Sequence, residues 1–351
     1  MNYDDALRNC IFRFVSGSHA YGTERPDSDM DYRGVFIAPL DKAFELFQSS
    51  FVGSGTIEQQ LKSAIGSIEN GLYDKAIEHV KTAMSPEYGD LNLSVGTVHK
   101  AGEDEELQEL RKFFKLAAES NPNIIEFLWV DRLISVSSKV WEKIRANRGM
   151  FLSKKARFTF SGYAHAQLKR IETHRGYLLS PPDHKPTRQE FGLPEQTEIA
   201  KENQNAILSL PDKWIQADAR DYVRREKQYQ AALEKWNDYK KWENERNPAR
   251  KAMEARWGYD IKHATHLVRL SRMGEEILRD GVVNVYRPDR EELRGILRGE
   301  WTYDRLIEHA TAIDGRLDDL YAKSPLRNKP DHKGISELYK EICQEHYGIK
   351  L

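Results

Sequence analysis

Two short runs of β-branched and aromatic residues near the start of the chain predict strands. Residues 11–15 form the first run, which ends before Gly17, and residues 30–37 form the second, which Pro39 ends. We expect the two strands to pair with each other in one sheet.

Helical spacing of apolar residues dominates the next segment. A short helix is predicted over residues 41–47, and the apolar residues of 57–83 predict a helical hairpin broken at an Asn-Gly pair. Residues 91–98 alternate between apolar and polar positions, as a strand does. The spacing over residues 107–117 then predicts a helix that ends before an Asn-Pro pair.

Beyond about residue 141 the periodicity is almost wholly helical. Helices are predicted over residues 141–148, 155–178 and 219–245, and another begins at Pro248. Residues 287–351 predict three more amphipathic helices.

The order of these elements indicates an α+β fold, and 351 residues are enough for two domains with separate cores. We place a first domain at residues 1–130, with the hairpin as an insertion near residues 55–90. A mainly helical domain follows at residues 131–351, with a charged insertion near residues 183–250.

The two predicted domains differ in charge. Residues 1–130 hold 12 Lys and Arg against 21 Asp and Glu, whereas residues 131–351 hold 42 against 34. An acidic half suits metal binding and a basic half suits a polyanionic partner, although two solvated surfaces explain the difference equally well. The sequence has no leader pattern, no paired cysteines and no apolar run near the ~20 residues of a membrane span. We therefore expect a cytoplasmic protein that does not associate with membranes.

The loop between the first two strands carries candidate metal-binding and phosphate-binding residues. In a strand, Asp29 and Asp31 would project from the same face and could donate oxygens to a pair of Mg²⁺ ions, which stabilise the entering and leaving oxygens of a phosphoryl displacement. Gly17 allows close approach of a triphosphate, and the hydroxyl and N–H of Ser18 can donate to phosphate oxygens at the start of a short helix. The alternative is a set of solvated acids in an ordinary turn.

Gly17-Ser18, ten intervening residues and then Asp29-Met30-Asp31 resemble the signature of the DNA polymerase β-like nucleotidyltransferase superfamily. The runs Gly-Ser-His-Ala-Tyr-Gly-Thr at 17–23 and Ser-Asp-Met-Asp-Tyr-Arg-Gly-Val-Phe at 28–36 are similar to the RNA-ligase-associated predicted nucleotidyltransferases of bacteria and phages. The resemblance implies that residues 1–130 are a catalytic domain built on a small mixed sheet. Within these runs, Ser28 joins Gly17 and Ser18 as a nucleotide-binding candidate.

The resemblance also implies a third carboxylate, which would bind the metal nearer the acceptor and help to remove the acceptor proton. The matching residue is Asp104, which lies shortly before the run Leu-Arg-Lys-Phe at 110–113. Glu103 and Glu105 are alternatives. The acidic run at 103–106 is also typical of the first turn of a helix, which would give it a purely structural role.

The helical half offers a basic stripe that could follow a phosphate backbone. Arg157, Lys169 and Arg170 lie in a segment, residues 154–175, with several basic residues and only one acid. We take them as candidates for binding the acceptor, with an exposed basic helix as the alternative.

A second candidate group lies on one side of the helix that follows Trp257. Lys262, His266 and Arg269 are spaced i, i+4 and i+7, so they could converge on the triphosphate or on the acceptor. A polar network facing the core is the alternative.

The expected function is that of a nucleotidyltransferase. With Mg²⁺, as two ions, it would move a nucleoside monophosphate from a nucleoside triphosphate to a hydroxyl and release pyrophosphate. The basic half and the family's name favour an RNA end as the acceptor. Nucleotidyl modification of a partner protein, as in toxin–antitoxin pairs, and a binding module that has lost catalysis are the alternatives.

Overall fold

A computed structural model describes five stretches of the chain, residues 1–39, 96–101, 104–197, 199–209 and 217–348. The predicted helix at 41–47 and the predicted hairpin near 55–90 lie outside these residues. The chain divides into two compact units: unit 1 consists of Met1–Gln167 and Thr265–Leu351, and unit 2 of Leu168–Ala264. The boundary near residue 130 stays a prediction for the catalytic domain. None of the helices in the described stretches is long and apolar enough to cross a membrane.

Unit 1 contains a mixed sheet of five strands, which confirms the predicted α+β class. The strand order is β3-β4-β2-β1-β5, and β2 and β4 are parallel while the other neighbours are antiparallel. The strands are β1 (Cys10–Val15), β2 (Tyr32–Phe36), β3 (Thr97–His99), β4 (Glu105–Glu109) and β5 (Ile134–Ser137).

The predicted pairing of the first two strands is confirmed, because β1 and β2 are antiparallel neighbours. Strand β2 begins at Tyr32, two residues later than predicted. Asp31 therefore lies immediately before the strand, and Asp29 lies in the loop ahead of it. The same-face argument for these two acids was wrong in its premise, since neither lies within the regular strand.

Strand β4 corrects the prediction of a helix from residue 107. Its backbone pairs with β2 on one side and with β3 on the other, and the helix begins only at Leu110. The side chain of Glu109 accepts hydrogen bonds from the N–H groups of Arg111 and Lys112, which fixes the helix start there. Asp104 consequently precedes a strand, so its interpretation as part of a first helical turn was wrong.

Aromatic side chains form the core beneath the sheet. Phe12 stacks on Trp141, with ring centroids 4.1 Å apart, and Phe14 meets Phe127 edge to face at 4.9 Å. Phe113 lies against Phe127 and Trp141 and brings the helix after β4 into this cluster. Burial of such large rings is a dominant stabilising term. It holds the helices after β4 and β5 against the sheet.

Most predicted helices of the second half are present. Residues 287–348 contain four helices where three were predicted, because the segment from Tyr303 to Lys323 is divided at Ala312. The helices of ten or more residues from residue 150 onward are Ala156–Leu179, Ala217–Glu245, Pro248–Trp257, Ile261–Asp280, Ile313–Lys323 and His332–Tyr347.

Unit 2 is held together by aromatic contacts between its helices. Tyr177 packs against Tyr239 and Trp242, with ring centroids 5.4 and 5.2 Å apart. The guanidinium of Arg246 lies 4.1 Å from the centre of the Trp242 ring. Tyr239 and Trp242 are therefore packing residues of unit 2.

Candidate active site

The parallel pair of strands brings two predicted acids together. Tyr32 is in register with Glu105, so Asp31 and Asp104 each lie one residue before the paired positions. The N–H of Tyr32 donates to the carbonyl of Asp104 over 3.1 Å. The carboxylate of Asp104 is near enough to that of Asp31 for its negative charge to raise the pKa of Asp31. This contact joins residues more than 70 positions apart in sequence.

Gly17 lies directly against the carboxyl of Asp31. Its φ is +65°, and a Cβ at this position would lie 2.6 Å from Oδ2 of Asp31. The backbone is held by the N–H of Ser16, which donates to the carbonyl of Asp31 over 2.8 Å. Only glycine combines the left-handed conformation with this close approach. The loop therefore needs glycine for its geometry, whatever it binds.

The local charges perturb Asp31. Burial raises the pKa of its carboxyl, and the negative charges of Asp104 and Asp29 raise it further, while Arg33 opposes the shift. Arg33 also binds Asp104 directly, because its Nη2 lies 2.8 Å from Oδ1 of that carboxylate. The carboxylates of Asp29 and Asp104 thus repel that of Asp31, and the guanidinium of Arg33 neutralises part of their charge.

This group suits a hard cation. Among the described residues, no three His, Cys, Asp or Glu side chains are arranged as ligands of one metal ion. Asp31 and Asp104 nevertheless supply the carboxylate oxygens that Mg²⁺ prefers. A bound cation would also relieve the repulsion that raises the pKa of Asp31. The two carboxylates therefore fit a divalent metal.

Asp31 and Gly17 form one wall of a cleft of about 400 Å³ in unit 1. That volume falls within the range typical of small-molecule sites. Polar side chains dominate the lining, and Leu116, Ile124 and Phe127 contribute apolar surface. The polar residues that line it are Ser16, Tyr21, Asp31, Arg33, Glu106, Gln108, Lys112, Asn121, Asn123 and Glu126.

A buried ion pair joins Arg269 to Glu126, and Glu126 lines the cleft together with Tyr21. The Tyr21 hydroxyl donates to both oxygens of Glu126, at 2.9 and 3.1 Å. Nη1 of Arg269 lies 3.5 Å from Oε2 of Glu126, and its guanidinium stacks 3.8 Å above the Tyr21 ring. Burial raises the pKa of Glu126, whereas Arg269 and the tyrosine hydroxyl act in the opposite direction. The carboxyl group of Glu126 therefore lines the cleft, and Arg269, which does not line it, holds this group in place.

Ser18 and Ser28 have structural contacts in the same loop. The carbonyl of Ser18 accepts from the N–H of Thr23 over 2.9 Å, which closes the short helix Gly17–Tyr21. The Ser28 hydroxyl accepts from the N–H of Arg25 over 2.9 Å. Both serines shape the loop, and nucleotide binding by either stays a prediction.

The three residues of the basic stripe that was predicted to bind RNA do not share one environment in the structure. Arg157 belongs to unit 1, where its side chain is only 10% exposed and binds Asp318 at 2.7 Å and Asp314 at 3.1 Å. Lys169 and Arg170 are exposed and belong to unit 2. Arg157 is thus committed to internal ion pairs, while the other two face solvent.

The second basic group is divided in the same way. Lys262 is exposed in unit 2, whereas His266 is half-buried and Arg269 is 3% exposed in unit 1. The contacts of Arg269 with Glu126 and Tyr21 form the core-facing polar network that was the alternative for this group.

Comparison with known proteins bears on the same segment of the chain. Residues 4–69 match the RNA repair pathway DNA polymerase beta family (RlaP). The match includes the loop and first two strands and confirms the predicted resemblance to polymerase β-like nucleotidyltransferases.

The chain is also similar to an uncharacterized 38.9 kDa protein in the nrdC-mobD intergenic region of Enterobacteria phage T4. The two are 27% identical over 160 residues, which are 45% of this chain and 37% of the phage protein. The chain therefore matches little more than a third of that relative. No solved structure matches the chain.

Two features of the site were missed in the sequence. Arg33 follows Asp31 by two positions, and that spacing could have placed both on one face at the strand's start. Glu126 lies in a segment that is similar to the same family, but neither that similarity nor any local spacing assigned it a role, because it comes from a short helical segment far along the chain. Its position at the cleft depends on the tertiary packing of that segment against Tyr21.

Proposed function

We propose that the chain is a divalent-metal-dependent nucleotidyltransferase that moves a nucleoside monophosphate from a nucleoside triphosphate to an acceptor hydroxyl. The observation that carries the proposal is the proximity of Asp31 and Asp104 at the start of two parallel strands, with Asp31 directly against Gly17. The family match over residues 4–69 supports the same class of chemistry.

Each residue has a distinct role in this proposal. Asp31 and Asp104, with Asp29 in the loop ahead of them, would hold Mg²⁺ as two ions, which would stabilise charge on the phosphate oxygens. Gly17 admits the triphosphate to the loop because it has no side chain, and Ser18 donates to phosphate oxygens. These residues position the α-phosphorus for in-line attack.

Asp104 accepts the proton of the acceptor hydroxyl on its carboxylate as the new O–P bond forms. The bond between the α-phosphorus and the bridging oxygen breaks, and pyrophosphate leaves with the electron pair. Arg33 holds Oδ1 of Asp104 at 2.8 Å, which keeps the carboxylate oriented until that proton arrives.

The first test uses purified protein, Mg²⁺ and α-labelled nucleoside triphosphates with RNA, protein and small-molecule acceptors. Transfer of label is expected from the wild-type protein, and Asp31→Asn should reduce its rate by at least about 100-fold, since it removes a metal ligand. Asp27→Asn is the matched control, because Asp27 is an exposed acid of the same loop. The proposal fails if wild type and Asp31→Asn are equally inactive toward all acceptor classes.

We further propose that the acceptor is an RNA end, because the matched family is described by an RNA repair pathway and Lys169 and Arg170 offer exposed positive charge. Replacement of both by Glu should weaken RNA binding and reduce its dependence on salt. Lys333→Glu, at an exposed lysine of unit 1, is the control. RNA affinity that is insensitive to the double reversal, or label found only on a protein, would contradict an RNA acceptor.

A further inference from the structure

Glu126 is the buried carboxylate of the cleft. Its residue is 4% exposed, yet it lines the cleft together with Asp31 and Arg33. An ionised carboxylate offers about four acceptor sites. The Tyr21 hydroxyl supplies a single proton to the two oxygens, and Arg269 approaches Oε2 at 3.5 Å. Acceptor capacity therefore remains on the side of Glu126 that faces the cleft.

Two of the amide side chains that line the same cleft, those of Asn121 and Gln108, are hydrogen-bonded to other residues. Asn121 donates from Nδ2 to the hydroxyl of Tyr163 over 3.0 Å, and its Oδ1 accepts from the N–H of Asn123 over 3.0 Å. Gln108 donates to Glu106 and accepts from Thr97. These contacts hold the two amide groups in fixed orientations, and Glu126 is the buried one of the carboxylates that line the cleft.

Burial of a carboxylate costs free energy unless a positive charge compensates it. Arg269, which does not line the cleft, provides that charge for Glu126. The guanidinium is itself fixed by stacking on Tyr21 and by a contact with the sulfur of Met273 at 3.1 Å. The carboxyl group is thus preorganised: Tyr21 and Arg269 hold it in place, and it lines the cleft on one side. Such a group discriminates strongly between ligands that do and do not present donors to it.

We propose that Glu126 selects the nucleotide by accepting two adjacent hydrogen bonds from it. This inference rests on the proposed function, since it assigns a role within the same cleft. Two groups on a nucleotide present paired donors to a planar carboxylate: the N1–H and N2–H₂ edge of guanine, and the 2′,3′-diol of ribose. Both satisfy the two oxygens at once, and the experiment separates them.

The test measures equilibrium binding of five nucleotides to the full chain with Mg²⁺ and no acceptor: GTP, ITP, ATP and the 2′,3′-dideoxy forms of GTP and ATP. Reading of guanine predicts that GTP binds about 10- to 100-fold more tightly than ITP and ATP, because hydrogen bonds to a charged group are strong. Reading of ribose predicts similar binding of GTP and ATP, with the same loss for each dideoxy form. Equal affinity for all five would overturn the inference.

Glu126→Gln tests the residue itself. The amide offers one acceptor and one donor, so discrimination should fall to within about twofold. Glu119→Gln makes the same chemical change at an exposed position and should retain it. Glu126→Gln with wild-type discrimination would contradict the assignment.

Tyr21→Phe provides a second variant if Glu126→Gln does not fold, as judged by circular dichroism. It keeps the carboxylate and removes only one donor to it, so discrimination should persist. Loss of discrimination in Tyr21→Phe would assign the selection to the tyrosine and refute a role for Glu126. Binding without discrimination contradicts this inference alone, whereas absence of any nucleotide binding contradicts the proposed function as well.

Discussion

Glu109 is expected to make the stability of the protein depend on pH near neutrality. Its side chain lies at the junction between strand β4 and the helix Leu110–Ala118, is 6% exposed, and accepts from the N–H of Arg111 over 2.7 Å. Burial raises the pKa of this carboxyl to about 7, although the hydrogen bonds from the helix start act against the shift. In an unfolded chain the group would titrate near 4.5.

The sign and size follow from this difference. Because the folded chain binds the proton more tightly, the contribution of Glu109 to stability is fully present below about pH 4.5 and is lost as the pH rises through about 7. A shift of this size corresponds to about 3 kcal/mol. Glu109→Gln keeps an acceptor for the helix N–H groups and cannot ionise. We expect it to match the wild type at about pH 4.5 and to be more stable by about 3 kcal/mol at about pH 8.

Urea unfolding followed by circular dichroism at several pH values gives the two free energies of unfolding. Their difference removes the contributions of other titrating groups, which both proteins share. Glu119→Gln, at the exposed end of the same helix, should show a difference that is nearly independent of pH. A constant difference between Glu109→Gln and wild type across this range would refute the reasoning.

Three further results are expected. Gly17→Ala should slow nucleotidyl transfer about 100-fold, since its Cβ would force Asp31 from its position, and should lower stability by about 1 kcal/mol through the left-handed φ; initial rates and thermal unfolding measure the two effects. Arg269→Met should cost about 3–5 kcal/mol by leaving the charge of Glu126 buried and unpaired, and adding Glu126→Gln should recover much of it in a urea double-mutant cycle. Addition of Mg²⁺ to weakly buffered wild-type protein should release protons, because the pKa of Asp31 is raised; a pH indicator would detect this, and equal release from Asp31→Asn would contradict it.

The sequence predicted the sheet's first two strands and most of the long helices, because apolar periodicity is a local property of the chain. It failed at β4, where an acidic run before an amphipathic helix is typical of a helical first turn. The strand exists because β2 and β3 supply backbone partners on both sides. Pairing with distant strands overrides local preference, and periodicity cannot show it.

The residues of the candidate site likewise include some that local sequence predicted and some whose contacts it did not predict. Gly17, Asp29 and Asp31 were predicted because they lie close together in a recognisable run. The grouping of Lys262, His266 and Arg269 depended on helical spacing alone, which places residues on one side of a helix but does not show what that side contacts. Arg269 contacts a buried glutamate, and the partner of a buried charge is set by packing that no spacing rule contains.

The parallel register of β2 and β4 has a consequence for how the candidate centre could be assembled. Asp31 and Asp104 are brought together by hydrogen bonds between neighbouring strands, such as that from the N–H of Tyr32 to the carbonyl of Asp104, and not by the covalent chain that joins them. Asp31 directly precedes β2, and Asp104 directly precedes β4. We therefore expect that two polypeptides, each bearing one carboxylate, would restore the proximity of Asp31 and Asp104 if β2 and β4 pair in the same register. On this reasoning the candidate centre depends on the register of the two strands more than on an unbroken chain between them.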